Sequence, residues 1–161
     1  MNDNFKKNYF YFAFIVLIFA ADRISKIIII NVFETSEFLS IKINSFINLS
    51  LVWNDGIAFG LFPLEKNFYY NILTLIILLI AIIITYLGYR TSNLVEKLSY
   101  LMIAGGASGN IFDRLYYLSV IDFVDITINN FHWFVFNLAD IFITIGVVTL
   151  ITSEFKRKKN D

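Results

Sequence analysis

Two Asn-x-x-Asp units are the strongest chemical signal in the sequence. Asn110 and Asp113 lie in the stretch AGGASGNIFDR, and Asn137 and Asp140 lie in FNLAD. Side chains three positions apart share one face of a helix, so each carboxylate has an amide beside it. The sequence thus offers two carboxylates, Asp113 and Asp140, in matched surroundings.

A facing pair of carboxylates can divide the work of an acid and a base. Two like charges a few ångströms apart cannot both ionise easily, so the pair shares one proton. The ionised member can take a proton from water while the protonated member donates one to a peptide carbonyl or a leaving amine. For Asp113 and Asp140 this chemistry indicates aspartyl proteolysis.

The amino-acid composition indicates that such a site would lie in a membrane protein. Of the 161 residues, 58% are hydrophobic and 16% are charged, which predicts an integral membrane protein. The net charge is zero, so no basic surface points to nucleic acid. The absence of cysteine excludes disulfides, thiolate metal sites and a cysteine nucleophile. Glycoside hydrolysis also uses paired carboxylates, but a membrane site suits a peptide or lipid substrate better.

The predicted fold is an all-α membrane protein with one domain, residues 1–161. About 20 apolar residues are needed to cross a bilayer, and four stretches of that kind are present. The first outer loop, residues 33–67, shows strand-like alternation and predicts a small, partly β-stranded platform on the outer surface. The four predicted transmembrane helices cover approximately residues 9–32, 68–88, 98–116 and 136–151.

Lysine and arginine set the predicted orientation. With the N-terminus inside, the inner flanks carry eight basic residues and the outer loops carry two, which places both termini in the cytoplasm. Asp113 then lies about 3 Å and Asp140 about 6 Å inside the outer boundary, at about 1.5 Å per residue. Gly105 and Gly109 form a G-x-x-x-G that lets another helix approach closely. The basic residues are Lys6, Lys7, Arg90, Lys97, Lys156, Arg157, Lys158 and Lys159 inside, and Lys42 and Lys66 outside.

Several polar residues have structural explanations as well as functional ones. Charges within a span are expensive and usually functional, but those in the first span could equally be ion pairs that hold helices together. Asp122 and Asp125, in the second outer loop, read as solvated charges. His132, flanked by aromatic residues, reads as part of an interfacial belt. No cluster offers the three or four ligands of a zinc site, and no cofactor is predicted. The first-span charges are Asp22, Arg23 and Lys26.

The motifs together resemble those of the lipoprotein signal peptidase family, also called signal peptidase II. GGASGNIFDR, VIDF and FNLAD occur in the family's order, with DRISK in the first span and NDGIAFG in the first outer loop. The resemblance covers the whole chain and includes four spans with both termini inside. GGxxGNxxDR followed by FNxAD is specific to this family and not a general property of membrane sequences.

The resemblance implies an aspartic endopeptidase of the bacterial cytoplasmic (inner) membrane, with its active site facing the outer side. Such enzymes remove the signal peptide from diacylglyceryl-modified prolipoproteins by cutting before the lipidated cysteine. Asp113 and Asp140 are then the catalytic pair. The implied partners are the prolipoprotein, membrane lipid and inhibitors of the globomycin type. The implied supporting residues are Asp22, Lys26, Asn54, Gly56, Asn110, Arg114 and Asn137.

One residue departs from the family pattern. The outer-loop motif has Ile57 where the family usually has the first of two alanines. A bulkier side chain there would narrow the groove that receives substrate or inhibitor, so this position bears more on inhibitor sensitivity than on catalysis.

Two other functions fit the same polar residues. A small proton-coupled transporter would use intramembrane Asp and Arg as a relay, but it would also need polar residues continuing to the inner face. A non-catalytic assembly protein would use Asp-Arg pairs and close glycine packing, and it would tolerate the change Asp140→Asn.

Overall fold

A computed structural model of the chain describes residues 3–36, 38–56, 68–128 and 131–160. Within these residues the chain forms four helices and four short strands. The helices are α1 (Asp3–Thr35), α2 (Phe68–Arg90), α3 (Leu94–Tyr116) and α4 (Leu138–Asn160). The strands are β1 (Ile41–Lys42), β2 (Ile47–Asn54), β3 (Val120–Ile128) and β4 (Phe131–Phe136).

The helices coincide with the four predicted spans and extend beyond most of them. Among the described residues, α2 and the Leu138–Lys158 part of α4 are long and apolar enough to cross a membrane. The 23 residues of α2 correspond to about 35 Å of helix, more than the hydrocarbon thickness. α1 and α3 carry buried charged residues in their interiors, so they are less uniformly apolar. Those charges mark the site described below.

The helix α3 lies at the centre of the molecule and packs against the other three helices. A side chain on Gly105 would meet Ile18 of α1 at 2.9 Å, and one on Gly109 would meet the carboxylate of Asp22. A side chain on Gly106 would instead meet the carbonyl oxygen of Ala139 in α4, at 2.5 Å. The predicted close approach at Gly105 and Gly109 is confirmed, and the helix that makes it is α1.

The strands form one antiparallel sheet in the order β1-β2-β3-β4. In the β2–β3 pair, Asn54 lies opposite Val120, next to the C-terminal end of α3. In the β3–β4 pair, Val124 lies opposite Phe136, immediately before α4 begins. One end of the sheet is therefore joined to the ends of α3 and α4.

The second outer loop contributes half of this sheet, which the sequence did not predict. The sequence predicts strands only in residues 33–67, whereas β3 and β4 come from the loop between α3 and α4. The interpretation of Asp122 and Asp125 as solvated charges was wrong, because each residue is only 2% exposed in the folded protein. Burial of a strand depends on its neighbours in the sheet, which lie far away in the sequence.

Candidate active site

The helix α4 begins with a reciprocal cap made by Asn137 and Asp140. The side-chain oxygen of Asn137 accepts a hydrogen bond from the Asp140 backbone N–H at 3.1 Å. In return, Oδ2 of Asp140 accepts one from the Asn137 backbone N–H at 3.2 Å. Two N–H groups that a helix start leaves unpaired are thereby satisfied. The second Asn-x-x-Asp unit is thus a capping box, and it fixes the Asp140 carboxylate in the first turn.

A third bond to this helix start comes from α1. Oδ1 of Asp22 accepts a hydrogen bond from the Ala139 backbone N–H at 3.1 Å. A carboxylate is favourable here because the N-terminal end of a helix carries partial positive charge. Asp22 therefore helps to hold the turn that carries Asp140.

A buried cluster of charges joins α1 to α3. Lys26 Nζ lies 2.9 Å from Asp22 Oδ2 and 2.6 Å from Asp113 Oδ2. Arg23 Nη1 lies 2.6 Å from Asp113 Oδ1. Lys26, Asp22 and Asp113 are fully buried, so their charges are compensated by one another and not by solvent. The ion pairs considered for the first-span charges are confirmed.

Asp113 and Asp140, the predicted pair, lie in different surroundings in the structure. Both oxygens of Asp113 lie in the charged cluster, and its Oδ2 also accepts a hydrogen bond from the Ile121 backbone N–H at 3.3 Å. Asn110 stands between the two carboxylates. Its oxygen accepts from Lys26 Nζ at 2.9 Å, and its amide nitrogen donates to Asp140 Oδ1 at 2.9 Å. The two Asn-x-x-Asp units have equal spacing but different surroundings, because one lies inside α3 and the other begins α4.

The carboxylate that shares surroundings with Asp140 is Asp122, near the start of β3. The Asn137 side-chain amide donates to Asp122 Oδ1 at 2.6 Å, while the backbone N–H of the same residue donates to Asp140. The side chain of Asn54 donates to the other oxygen of Asp122, at 2.8 Å. Asp122 was missed as a site residue, although the VIDF motif that contains it was one of the signals of resemblance.

Burial raises the pKa of Asp122 from 3.8 to about 7, and the nearby charge of Asp140 acts in the same direction. The amides of Asn54 and Asn137 and the charge of Lys26 favour the ionised form and limit the increase. Near neutral pH, Asp122 therefore exists in both the protonated and the ionised form.

A chain of contacts connects Asp122 to α3 through the loop after β2. The Gly56 backbone N–H donates to the side-chain oxygen of Asn54 at 2.9 Å. The Gly56 carbonyl oxygen accepts from Arg114 Nη2 at 2.7 Å. Within the described residues, Nε and Nη1 of Arg114 have no hydrogen-bond partner. The aromatic ring of Tyr70 lies 5.4 Å from the guanidinium carbon. Arg114 thus joins α3 to the loop that follows β2.

Asp122 and Asp140 line one cavity of about 290 Å³, which we call the carboxylate cavity. Its polar groups are two carboxylates, two amides, a guanidinium and a hydroxyl, and the remaining lining is aliphatic. Such a cavity can hold a peptide group next to two acids that differ in environment. The lining residues are Asn54, Ile77, Ala107, Asn110, Arg114, Val120, Asp122, Asp140, Ile143 and Thr144.

The structure brings the nine predicted site residues into one connected network. Lys26, Asn110 and Asn137 link the charged cluster to the carboxylate cavity. Ile57 lies outside the described residues. His132 does not belong to this network: its side chain is 62% exposed, and its Nδ1 lies 2.5 Å from Asp125 Oδ2. In the described part of the chain, no group of three or more His, Cys, Asp or Glu residues could hold a metal ion.

Comparison with known proteins places this site in a family. Residues 14–156 match the profile described as Signal peptidase (SPase) II. The chain belongs to the signal peptidase II family. Its members include the lipoprotein signal peptidase of Pelagibacter ubique, which is 44% identical over 160 residues covering 98% of this chain and 96% of that protein. The lipoprotein signal peptidase of Francisella tularensis subsp. novicida is 40% identical over 153 residues, covering 92% and 93%.

A solved structure of a bacterial membrane enzyme has the same fold as this signal peptidase II family member. The TM-score is 0.80 at 26% identity, over 94% of this chain and 90% of the other. The family makes the chain an aspartic-type protease, and family and fold together indicate a membrane enzyme. Both relatives carry the name lipoprotein signal peptidase.

Proposed function

We propose that this protein is an intramembrane endopeptidase that removes the signal peptide from diacylglyceryl-modified prolipoproteins, with Asp122 and Asp140 as its catalytic pair. This pair is supported by one observation: both carboxylates line the same cavity, and both accept hydrogen bonds from Asn137. The neighbouring Asp113 is neutralised by Lys26 and Arg23, so we assign it a positioning role.

Asp122 is assigned the shared proton because burial brings its pKa to about 7. Asp140 takes a proton from a water molecule as the water oxygen bonds to the scissile carbonyl carbon, and Asp122 gives its proton to the carbonyl oxygen. A neutral tetrahedral diol results. When the carbon–nitrogen bond breaks, Asp140 gives its proton to the leaving amine, and a diol hydroxyl returns a proton to Asp122.

Two features support the binding of an extended peptide next to this pair. β1 pairs with Asn48 and Leu49 of β2, and no strand of the described residues pairs with Ser50–Trp53 on that side. A substrate backbone can add to this edge as a strand, which leads it toward Asn54 and the cavity. Arg114, which lines the carboxylate cavity, would donate to a substrate carbonyl.

The proposed location is the bacterial inner membrane, with four spanning helices, cytoplasmic termini and the cavity facing the outer side. The positive-inside asymmetry of the sequence and the two strongly apolar helices support this arrangement. A lipid-anchored cysteine holds its scissile bond near the membrane surface, where a shallow site can reach it. Globomycin-type peptides are proposed to compete for the same cavity.

The proposal is tested by cleavage with purified protein in detergent. A diacylglyceryl-modified prolipoprotein should be cut before its lipidated cysteine, and the same precursor without lipid should be a poor substrate. Addition of a chelator should leave the rate unchanged, since both acid and base are supplied by carboxylates. Equal turnover of the two precursors would remove lipoprotein maturation from the proposal, and loss of rate with the chelator would contradict the two-carboxylate chemistry.

A further inference from the structure

A second cavity, of about 300 Å³, lies between β4 and the first two turns of α4. We call it the β4 groove. Its walls are Phe134 and Phe136 from the strand and Ile141 and Ile145 from the helix. The two phenylalanine rings lie 5.8 Å apart and are tilted against each other. Asp140 and Thr144 complete the lining.

Asp140 and Thr144 line both the β4 groove and the carboxylate cavity. They are four residues apart and share one face of α4, so they form a ridge between the two spaces. Ile143 flanks this ridge on the carboxylate-cavity side, and Ile141 and Ile145 flank it on the β4 side. A molecule bound at Asp140 can therefore extend to either side of α4.

The two spaces differ in what they can bind. The carboxylate cavity contains amides and a guanidinium that can pair with a peptide backbone. Among the described residues, the β4 groove offers four hydrocarbon side chains and, beyond the ridge, no polar group. A peptide there would leave its backbone N–H and C=O groups unpaired, whereas a hydrocarbon chain gains from leaving water.

We propose that the β4 groove binds an acyl chain of the substrate's diacylglyceryl group. This inference rests on the proposed function, in which the scissile bond lies at Asp122 and Asp140. The lipid is attached to the residue immediately after that bond, so the acyl chains must diverge from the peptide close to Asp140. The groove that begins at Asp140 and is otherwise hydrocarbon meets this requirement.

The groove is also open from the side that would face lipid. Ile145 is 45% exposed, and Ile141 and Phe134 are partly exposed. An acyl chain can enter laterally from the bilayer without crossing the polar ridge. Bulk phospholipid and the signal-peptide helix are the other possible occupants, and the experiments below distinguish them.

The kinetic test measures KM and kcat of Ile145→Phe, a variant whose larger side chain fills the β4 groove. Val148→Phe is the matched control, because Val148 is exposed on the next turn of α4 and lines neither cavity. For a dipalmitoylglyceryl substrate we expect Ile145→Phe to raise KM by about tenfold, the effect of displacing roughly two methylenes. The kcat should change little. KM for a dibutyrylglyceryl substrate, and both parameters of Val148→Phe, should match those of wild type.

Equal effects of Ile145→Phe on long-chain and short-chain substrates would overturn the proposal, as would no effect on either. A wild-type protein that cleaves neither substrate would instead contradict the proposed function and leave no kinetics to compare. The two failures are therefore distinguishable.

The direct test places a photoreactive diazirine in one acyl chain of the substrate, bound to the inactive variant Asp122→Asn. Mass spectrometry should find crosslinks in Phe134–Phe136 and Ile141–Ile145. Crosslinks confined to α2, or groove labelling by a diazirine on the signal-peptide helix, would overturn the assignment. Equal groove labelling by a diazirine phospholipid, not displaced by substrate, would show a structural lipid and overturn it as well.

Discussion

Asp113 and Asp122 show how two buried aspartates of one site differ in chemistry. Asp113 faces Lys26 and Arg23, so its charge is compensated within the protein. Asp122 is buried beside Asp140, and burial and this like charge oppose its ionisation more strongly than the amides of Asn54 and Asn137 favour it. A carboxyl group with a pKa near neutral pH can both give and accept a proton, which suits proton transfer. A carboxylate paired with cations suits the positioning of its neighbours.

The pH dependence of kcat/KM follows from this difference. The assigned acid, Asp122, must hold its proton, so kcat/KM should fall as pH rises through about 7, its pKa in the folded protein. Asn54→Ala removes an amide that favours the ionised form, so the pKa of Asp122 should rise and the alkaline limb should move to higher pH. The measurement is the pH profile of kcat/KM for both proteins.

The position of the alkaline limb is informative even if the Asn54→Ala variant is slow. Asn48→Ala, a change in the same strand at a side chain that bonds Thr127, is the control and should leave the limb in place. A limb that stays fixed in Asn54→Ala, or moves to lower pH, would contradict the assignment of the proton to Asp122.

Among the elements, α3 determines the arrangement of the site by offering different glycines to different helices. Gly109 admits Asp22, and Gly106 admits the first turn of α4. Asp22 then reaches both Lys26 and the backbone N–H of Ala139. The close packing of α3 against α1 and α4, and the bond from Asp22 to the start of α4, thus both depend on the glycines of α3.

Gly109→Ala tests this coupling. Its methyl group would collide with the Asp22 carboxylate and disturb a buried ion pair and a helix cap together, so we expect a loss of about 2–4 kcal/mol in stability. Thermal unfolding in detergent should show a lower Tm, accompanied by reduced cleavage. Ser108→Ala, at the adjacent position, is the control and should have little effect. A Gly109→Ala protein with wild-type Tm would show that the approach of Asp22 is not tight.

Much of the element-level structure could be predicted from local sequence. The helices follow from apolar length, the glycine contact follows from G-x-x-x-G, and the residues of the site follow from the family motifs. The sheet could not be predicted fully, because β2 and β3 pair across two intervening helices. Asp122 was misjudged for that reason: its burial depends on strands and amides that the local sequence around VIDF does not contain.

At the scale of the whole molecule, the helices and the sheet meet at one end, and the polar network lies where they meet. α1 and α3 contribute the charged cluster, α4 contributes a capped carboxylate, and β3 contributes the second carboxylate. With the proposed orientation, this end faces outward, so water reaches the site from outside while lipid-anchored substrate reaches it from the bilayer. The apolar α2 offers no comparable polar path toward the inner face, which disfavours a proton-relay function.

The burial of Asp122 also makes the stability of the protein depend on pH. A folded-state pKa raised from 3.8 to about 7 means that the folded protein binds this proton more tightly than the unfolded chain does. The wild type therefore loses stability as pH rises from about 4 to about 7. Asp122→Asn has no such loss, so its Tm relative to wild type should increase between pH 5 and pH 8.

The central claim is tested most directly by comparing Asp122→Asn, Asp140→Asn and Asp113→Asn for cleavage of a diacylglyceryl-prolipoprotein and for Tm in the same detergent. We expect Asp122→Asn and Asp140→Asn to fold and to lose activity by about 100-fold or more. Asp113→Asn should show a lower Tm, because Lys26 and Arg23 lose a buried counterion, and it should retain measurable cleavage. Wild-type turnover by Asp122→Asn, or complete loss of activity in an Asp113→Asn protein with unchanged Tm, would contradict the assignment of Asp122 and Asp140 as the catalytic pair.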